Sequence, residues 1–150
     1  MSELGKQLAA EVTKFVEAKV PYEHRGTTMF GCDCTGMVIG GMKNLGHFKN
    51  YKLRQYPKDW NLHAGAGDNI REELSRFAIE IPKKEITVGD IPIFAFARCY
   101  AHAGVLISGK TFAHCYVAAG KCEYASLEKG QWASRWVSTY RFDEAKLNHG

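Results

Sequence analysis

The chain has 150 residues, of which 45% are hydrophobic and 24% are charged, with 15 glycines and only 4 prolines. This balance is typical of one compact domain spanning residues 1–150, and it excludes a disordered or collagen-like chain. The formal net charge of +4 suits an anionic partner without requiring one. No apolar stretch approaches the ~18 residues of a transmembrane helix, so no membrane insertion is expected.

The first third of the chain predicts two helices. Apolar residues recur at helical spacing from Leu4 to Val16, with Ser2 placed to cap the start and Pro21 following the end. Charged residues interrupt this segment, so it lacks the basic start and apolar run of a secretion signal. A second helix is predicted from Cys34 to Leu45, with Asp33 as its N-cap.

The remaining elements change in character along the chain. Residues 44–67 have few apolar repeats and much Gly, Asn and Lys, which indicates an extended loop, and a short helix is predicted around Ile70, Leu74 and Phe77. Five segments rich in β-branched and aromatic residues then predict strands: Ile91–Ala97, His102–Ile107, Thr111–Val117, Cys122–Leu127 and Trp136–Phe142. The sequence therefore predicts an α+β domain in which N-terminal helices pack on a C-terminal antiparallel β-sheet, with a cleft between a helix and the sheet.

Five cysteines, an odd number in a chain without a predicted export signal, indicate free thiols in a reducing compartment. Cys34 stands out because a thiol in the first turn of a helix faces unpaired N–H groups and the positive end of the helix dipole. That position should lower its pKa and make it a nucleophile; a small buried residue is the alternative. Cys99, Cys115 and Cys122 are expected to pack in the sheet as small apolar side chains.

Two histidines lie in consecutive predicted strands. If Ile107 pairs with Thr111, Gly104 faces His114, and His102 lies diagonally from His114 on the same face of the sheet. The diagonal separation of about 7 Å is within reach of an imidazole. The sequence therefore predicts that the two rings meet, beside a thiol at the start of a helix.

Several short motifs follow one another at characteristic spacing: Pro21-Tyr22, Gly26, Gly31, Asp33-Cys34-Thr35-Gly36, Gly89-Asp90-Ile91, His102-Ala103-Gly104 and Phe112-Ala113-His114. In order and spacing the chain resembles the NlpC-type papain-like cysteine peptidases of bacterial cell walls. The stretches Tyr56–His63 and Trp136–Phe142 are similar to the phage-tail branch of that family, which includes the tails of gene transfer particles.

The resemblance implies roles for individual residues and for the whole protein. Cys34 matches the nucleophile, His102 the general base, and His114 the residue that orients the base. The implied substrate is the peptidoglycan stem peptide, cut between D-glutamate and a diamino acid, without a cofactor or metal. The phage-tail branch implies synthesis in the bacterial cytoplasm and assembly into the virion tail, beside tail-tip or baseplate proteins.

Four further residues are candidates for substrate binding. Tyr22 matches a tyrosine over the active cleft, and Asp33 and Thr35 flank the nucleophile, with Thr35 in place of the more frequent serine. Arg25 stands where many members have glycine. It is either a contact for a substrate carboxylate or a solvated loop charge.

Two other interpretations remain open. Cys32, Cys34, His102 and His114 are ligand types that suit zinc, although a one-residue gap between the cysteines strains a shared tetrahedron. The loop also mixes basic and aromatic residues, as polyanion-binding surfaces do, although no nucleic acid is expected: Lys43, Lys49, Tyr51, Lys52, Arg54, Tyr56 and Lys58. Alternatively, the loop binds neighbouring tail proteins, and the protein is then a catalytically weak structural component of the tail.

Overall fold

The computed structural model describes residues 2–48, 68–96 and 99–147. Its helices are α1 (Glu3–Glu17), α2 (Cys34–Asn44), α3 (Asp68–Ser75), α4 (Gly130–Arg135) and α5 (Glu144–Leu147). Its strands are β1 (Thr27–Thr28), β2 (Gly31–Cys32), β3 (Ala78–Glu80), β4 (Ile91–Phe96), β5 (Cys99–Ala103), β6 (Val105–Ser108), β7 (Thr111–Tyr116), β8 (Lys121–Ser126) and β9 (Trp136–Phe142). The predicted α+β class is confirmed, whereas most of the predicted loop lies outside the described residues.

The first two helices form where their caps and apolar spacing predict them. The Ser2 hydroxyl accepts a hydrogen bond from the Gly5 N–H at 2.9 Å, and α1 buries one apolar stripe that contains Leu8, Val12 and Phe15. In the described ranges no helix has the length and apolar character needed to cross a bilayer. The helices α1 and α2 pack against each other and against the sheet strands.

The strands form antiparallel groups in the orders β1-β2, β3-β9-β4-β5 and β6-β7-β8. The last strand therefore returns between β3 and β4, so the sheet is not the simple succession of strands that the sequence suggests. The predicted strand over 102–107 is also divided at Gly104. A Cβ there would lie 2.6 Å from Cδ2 of Phe112 and 2.9 Å from the Ala113 carbonyl oxygen, so only glycine allows the chain to cross from β5 to β6 at this point.

The register near the histidines follows the prediction, but the turn does not. Val105 pairs with Ala113 as expected, and the register then shifts so that Ser108, not Ile107, pairs with Thr111. The predicted 107–111 pair is therefore wrong, because a bulge-like irregularity takes up one residue before the turn. The irregularity lies between Leu106 and Ser108, nearer the turn than the Val105–Ala113 pair. It therefore does not change the face from which the His114 side chain leaves its strand.

Successive strand residues separate two apolar clusters, since their side chains leave opposite faces. Ile93, Val105 and Ala113 belong to the larger cluster, which includes the buried faces of α1 and α2. Their chain neighbours Phe94, Leu106 and Phe112 pack instead with Leu127 and Trp132 in a smaller aromatic cluster. The rings of His102 and His114 lie against this aromatic cluster.

An ion pair ties the turn before β4 to β9. Asp90 is 1% exposed, and its carboxylate accepts hydrogen bonds from Nε and Nη2 of Arg141 at 2.8 and 2.9 Å. The same carboxylate accepts the Thr87 N–H at 2.9 Å. A bidentate pair with a further backbone donor is a well-satisfied arrangement for a buried carboxylate.

Replacing Asp90 with alanine should lower the free energy of unfolding by about 2–4 kcal/mol, because the Thr87 N–H and the Arg141 guanidinium both lose their acceptor. Asp143→Ala is the matched control, since that carboxylate makes one exposed hydrogen bond, to the Ala145 N–H at 3.1 Å. Urea unfolding of both variants measures the difference. Equal losses in the two would contradict a structural role specific to the pair.

Candidate active site

The loop before α2 shapes the start of that helix around Cys34. Asp33 is 3% exposed; its Oδ1 accepts the Gly36 N–H and its Oδ2 the Arg25 N–H, each at 2.8 Å. Position 36 has room only for glycine, because a Cβ there would overlap the carbonyl oxygen of Gly26. One carboxylate thus caps the helix and holds the preceding loop across its first turn.

The environment of Cys34 corrects the expected effect of the helix start. Burial, with the adjacent Asp33 carboxylate as the second cause, raises the pKa of the Cys34 thiol to about 12. Hydrogen bonds from the backbone N–H groups of Ala103, Thr35 and Cys34 itself oppose this rise. The helix-start donors that the sequence predicts are therefore present, but desolvation outweighs them, and the resting group is a neutral thiol.

The two histidine rings meet, as the sequence predicts, but they do so from two groups of strands and not as diagonal neighbours within one sheet. Nε2 of His102, on β5, and Nδ1 of His114, on β7, are 2.7 Å apart and hydrogen-bonded. His102 is 4% exposed and His114 is fully buried. The Ala103 N–H that reaches the Cys34 thiol belongs to the residue directly after His102, so the thiol and the histidine pair border the same short stretch of β5.

Glu123 extends the pair and was missed by the sequence analysis. It is the cross-strand partner of His114 on β8, and its Oε2 lies 3.2 Å from Nε2 of His114. An ionised carboxylate only accepts hydrogen bonds, so His114 donates from Nε2 and accepts at Nδ1. His102 must then donate from Nε2, which leaves its Nδ1 lone pair free to act as a base.

Trp132, on α4, is a second residue that sequence reasoning missed. Its ring stacks on His102 with centroids 5.0 Å apart and an interplanar angle of 26°, and it meets His114 edge-on at 4.9 Å. Phe94, Phe96, Phe112 and Tyr116 also contact one or both imidazoles. This apolar enclosure keeps water from the hydrogen bond between the histidines.

The same enclosure sets the protonation state of the pair. Burial lowers the pKa of His102 well below its ordinary value, and the neighbouring His114 acts in the same direction. Burial also lowers the pKa of His114, although Glu123 opposes this. At neutral pH the resting site therefore contains a neutral thiol and neutral imidazoles, so any nucleophilic attack by Cys34 must be coupled to transfer of its proton.

The other predicted site residues lie around the start of α2. Tyr22 is half-buried, and burial, followed by the negative charge of Asp33 and then by the Cys34 sulfur where it is ionised, raises its pKa to about 12. Thr35 donates its hydroxyl to Oδ1 of Asp33 at 3.3 Å. The Arg25 side chain is exposed, and its backbone, at a φ of 65°, supplies the N–H to Asp33.

The zinc site of Cys32, Cys34, His102 and His114 does not form among the described residues. Among the described residues, the thiols, imidazoles and carboxylates that come close enough to share an ion are those of Cys32, Cys115 and Cys122. That group contains only one of the four ligands weighed from the sequence. Of the basic loop residues, Lys43 is described and exposed at the end of α2, whereas positions 49–58 lie outside the described residues.

The alkylation rate of Cys34 by iodoacetamide should rise about tenfold per pH unit between about pH 7 and about pH 10, because a pKa near 12 leaves little thiolate at neutral pH. Asp33→Asn should raise the rate at fixed pH, since a negative charge beside the thiol is removed. Asp143→Asn is the matched control. Mass mapping of the modified peptide gives the rate. A high rate that does not change with pH near pH 7 would show that the thiol is already ionised, and would contradict this prediction.

A thiol at a helix start, near a histidine pair carried by antiparallel strands, is the arrangement that the papain-like fold presents. The NlpC/P60 family model matches residues 19–141, a range that contains all the site residues named above. The chain therefore belongs to the NlpC/P60 family. No curated protein matches it by sequence.

Solved structures share the fold. NlpC2 of Trichomonas vaginalis superposes with a TM-score of 0.67 at 17% identity, covering 95% of this chain and 47% of that protein. The NlpC/P60 domain of the peptidoglycan hydrolase SagA gives 0.59 at 16% identity, with 90% and 96% covered. The peptidoglycan hydrolase RipB of Mycobacterium tuberculosis gives 0.59 at 15% identity, with 94% and 67% covered. This chain thus spans about half the length of NlpC2.

Proposed function

We propose that this protein is a cysteine endopeptidase that hydrolyses the stem peptides of peptidoglycan. The hydrogen bond between His102 and His114, at 2.7 Å and next to the backbone that touches the Cys34 thiol, carries the proposal. Membership of the NlpC/P60 family supports it, as do the SagA and RipB relatives, which are named peptidoglycan hydrolases.

The proposed reaction begins from the neutral site. As the Cys34 sulfur attacks the peptide carbonyl, its proton passes to Nδ1 of His102, and backbone N–H groups at the start of α2 stabilise the oxyanion. The imidazolium then protonates the leaving amine, and an acyl-enzyme thioester remains. Water hydrolyses the thioester with His102 as the base, which restores the thiol. His114 and Glu123 hold the tautomer that this sequence of proton transfers needs.

The proposed bond follows from the resemblance to the family as a whole: it joins the D-glutamate side-chain carboxyl to a diamino acid. The proposed location rests on the resemblance of Tyr56–His63 and Trp136–Phe142 to the phage-tail branch. The protein is made in the bacterial cytoplasm and built into the tail of a phage-like particle, where it opens the wall of the next cell. A catalytically weak tail-tip component is the second candidate, favoured by the burial of Cys34, which is only 8% exposed.

Digestion of purified peptidoglycan, with the products identified by mass, tests the activity. Wild type should release stem-peptide fragments with a new diamino-acid amine, and Cys34→Ala should release none above the no-enzyme blank. An identical product pattern for both proteins would favour the structural candidate. Particles purified by density test the location separately: protein found only in the soluble lysate would overturn the tail assignment and leave the peptidase assignment standing.

A further inference from the structure

Three thiols that the proposed reaction does not use lie together in the larger core. Cys115 and Cys122 are cross-strand partners on β7 and β8, and Cys32 ends β2. Each is at most 2% exposed. Their Sγ atoms all lie within 4.8 Å of one another, with Cys32 and Cys122 in contact at 3.4 Å. We call these three residues the thiol cluster.

We infer that the thiol cluster is a binding site for one soft monovalent metal ion, Cu(I), held by three sulfur ligands. The geometry suits a central ion. Metal–thiolate bonds of about 2.3 Å arranged trigonally around one ion place the sulfurs about 4 Å apart. The sulfurs of Cys32 and Cys122 are 3.4 Å apart, and no two of the three sulfurs are more than 4.8 Å apart, so small side-chain movements are sufficient.

The number and type of ligands select the metal. Among the described residues the cluster contains sulfur ligands alone, and no imidazole or carboxylate joins it. Structural zinc sites are closed by four ligands, whereas soft thiolates favour Cu(I), which is stable with three. Each sulfur that binds as a thiolate releases its proton to the buffer, and no oxidant or reductant is needed.

The position of the cluster ties it to the candidate active site without overlapping it. Cys115 follows His114, Cys122 precedes Glu123, and Cys32 lies two residues before Cys34. Because neighbouring strand residues leave opposite faces, the sulfurs of β7 and β8 lie on the helix side while the His114–Glu123 pair lies on the other. A bound ion would join β2, β7 and β8, the strands that precede or carry the site residues.

The test is an anaerobic titration of the full chain with Cu(I) against the competing chelator bicinchoninate, in a Cys34→Ala, Cys99→Ala background that leaves the thiol cluster as the remaining cysteines. One copper per chain should be retained, with three sulfur neighbours in X-ray absorption. The loaded protein should also melt at a higher temperature, because the ion binds the folded state. Cys34→Ala alone should bind copper as wild type does.

Cys122→Ser should weaken copper binding by more than about 100-fold. Mutation of a residue that only hydrogen-bonds a metal ligand already costs about 10–100-fold in metal affinity, and Cys122 would be a ligand itself. If that variant does not fold, the sulfur count in the unaltered cluster still decides. Several outcomes overturn the proposal: no copper held against the chelator, fewer than three sulfurs, a preference for four-coordinate zinc, or a Cys32–Cys122 disulfide in the protein isolated under reducing conditions.

Discussion

Replacing Cys34 with alanine should lower the rate of stem-peptide hydrolysis by at least about 10⁴-fold, because removal of a covalent nucleophile leaves only binding and oxyanion stabilisation. Binding of the stem peptide should change little, since the backbone donors at the start of α2 remain. Cys34→Ser should retain slight activity at most, because a hydroxyl in this buried position is a much poorer nucleophile. Initial rates with a synthetic stem peptide, together with its dissociation constant, measure both effects.

Val38→Ala is the matched control for Cys34→Ala. Val38 is buried one turn further along α2, at 5% exposure, so its truncation disturbs the same helix without removing a thiol. It should lower the melting temperature and leave the rate, measured well below that temperature, within a few fold of wild type. A comparable loss of rate in both variants would show that helix packing, and not the thiol, explains the effect of Cys34→Ala.

His114→Ala should reduce kcat by about 10³–10⁴-fold, on the scale seen when the group that orients a catalytic histidine is lost. The Nε2–H of His102 would lose its acceptor at 2.7 Å, and the ring would be free to turn its basic nitrogen away from Cys34. His114→Asn should recover part of the loss, because an amide oxygen can accept near the position of Nδ1. His47→Ala, beyond the far end of α2, serves as the control and should remain close to wild type.

Glu123→Gln separates orientation from general packing. The substitution keeps the size of the side chain but removes a charge that raises the pKa of His114, and it permits the amide to donate to Nε2 and reverse the tautomer. We expect kcat to fall about 10–100-fold with KM nearly unchanged. The acid limb of the pH–rate profile should move to lower pH, because the pKa of His114 falls when the charge is removed. An unchanged profile and rate would show that Glu123 does not position the pair.

Short-range sequence features were enough to predict the helix starts and the strand face that position the candidate site residues. Ser2 and Asp33 cap the helices that their positions indicate. Side chains alternate between the two faces of β7, so the Val105–Ala113 pair fixes the face on which His114 lies. Glu123 was within reach of the same reasoning: pairing Tyr116 with Lys121 sets His114 opposite Glu123, but the β7–β8 register was not worked out from the sequence.

The sequence by itself thus determined the α+β class and the cap that places Cys34 at a helix start, because each depends on neighbours within a few residues. It also indicated that the two histidines meet, although the structure brings them together from two groups of strands, with the crossing at Gly104. Only the tertiary structure decided the protonation state of the thiol, the stacking of Trp132 on His102, and the meeting of Cys32 with Cys115 and Cys122. These depend on contacts between segments far apart in the chain. Burial there removes water from charged forms, and that desolvation outweighs the local field of a helix start.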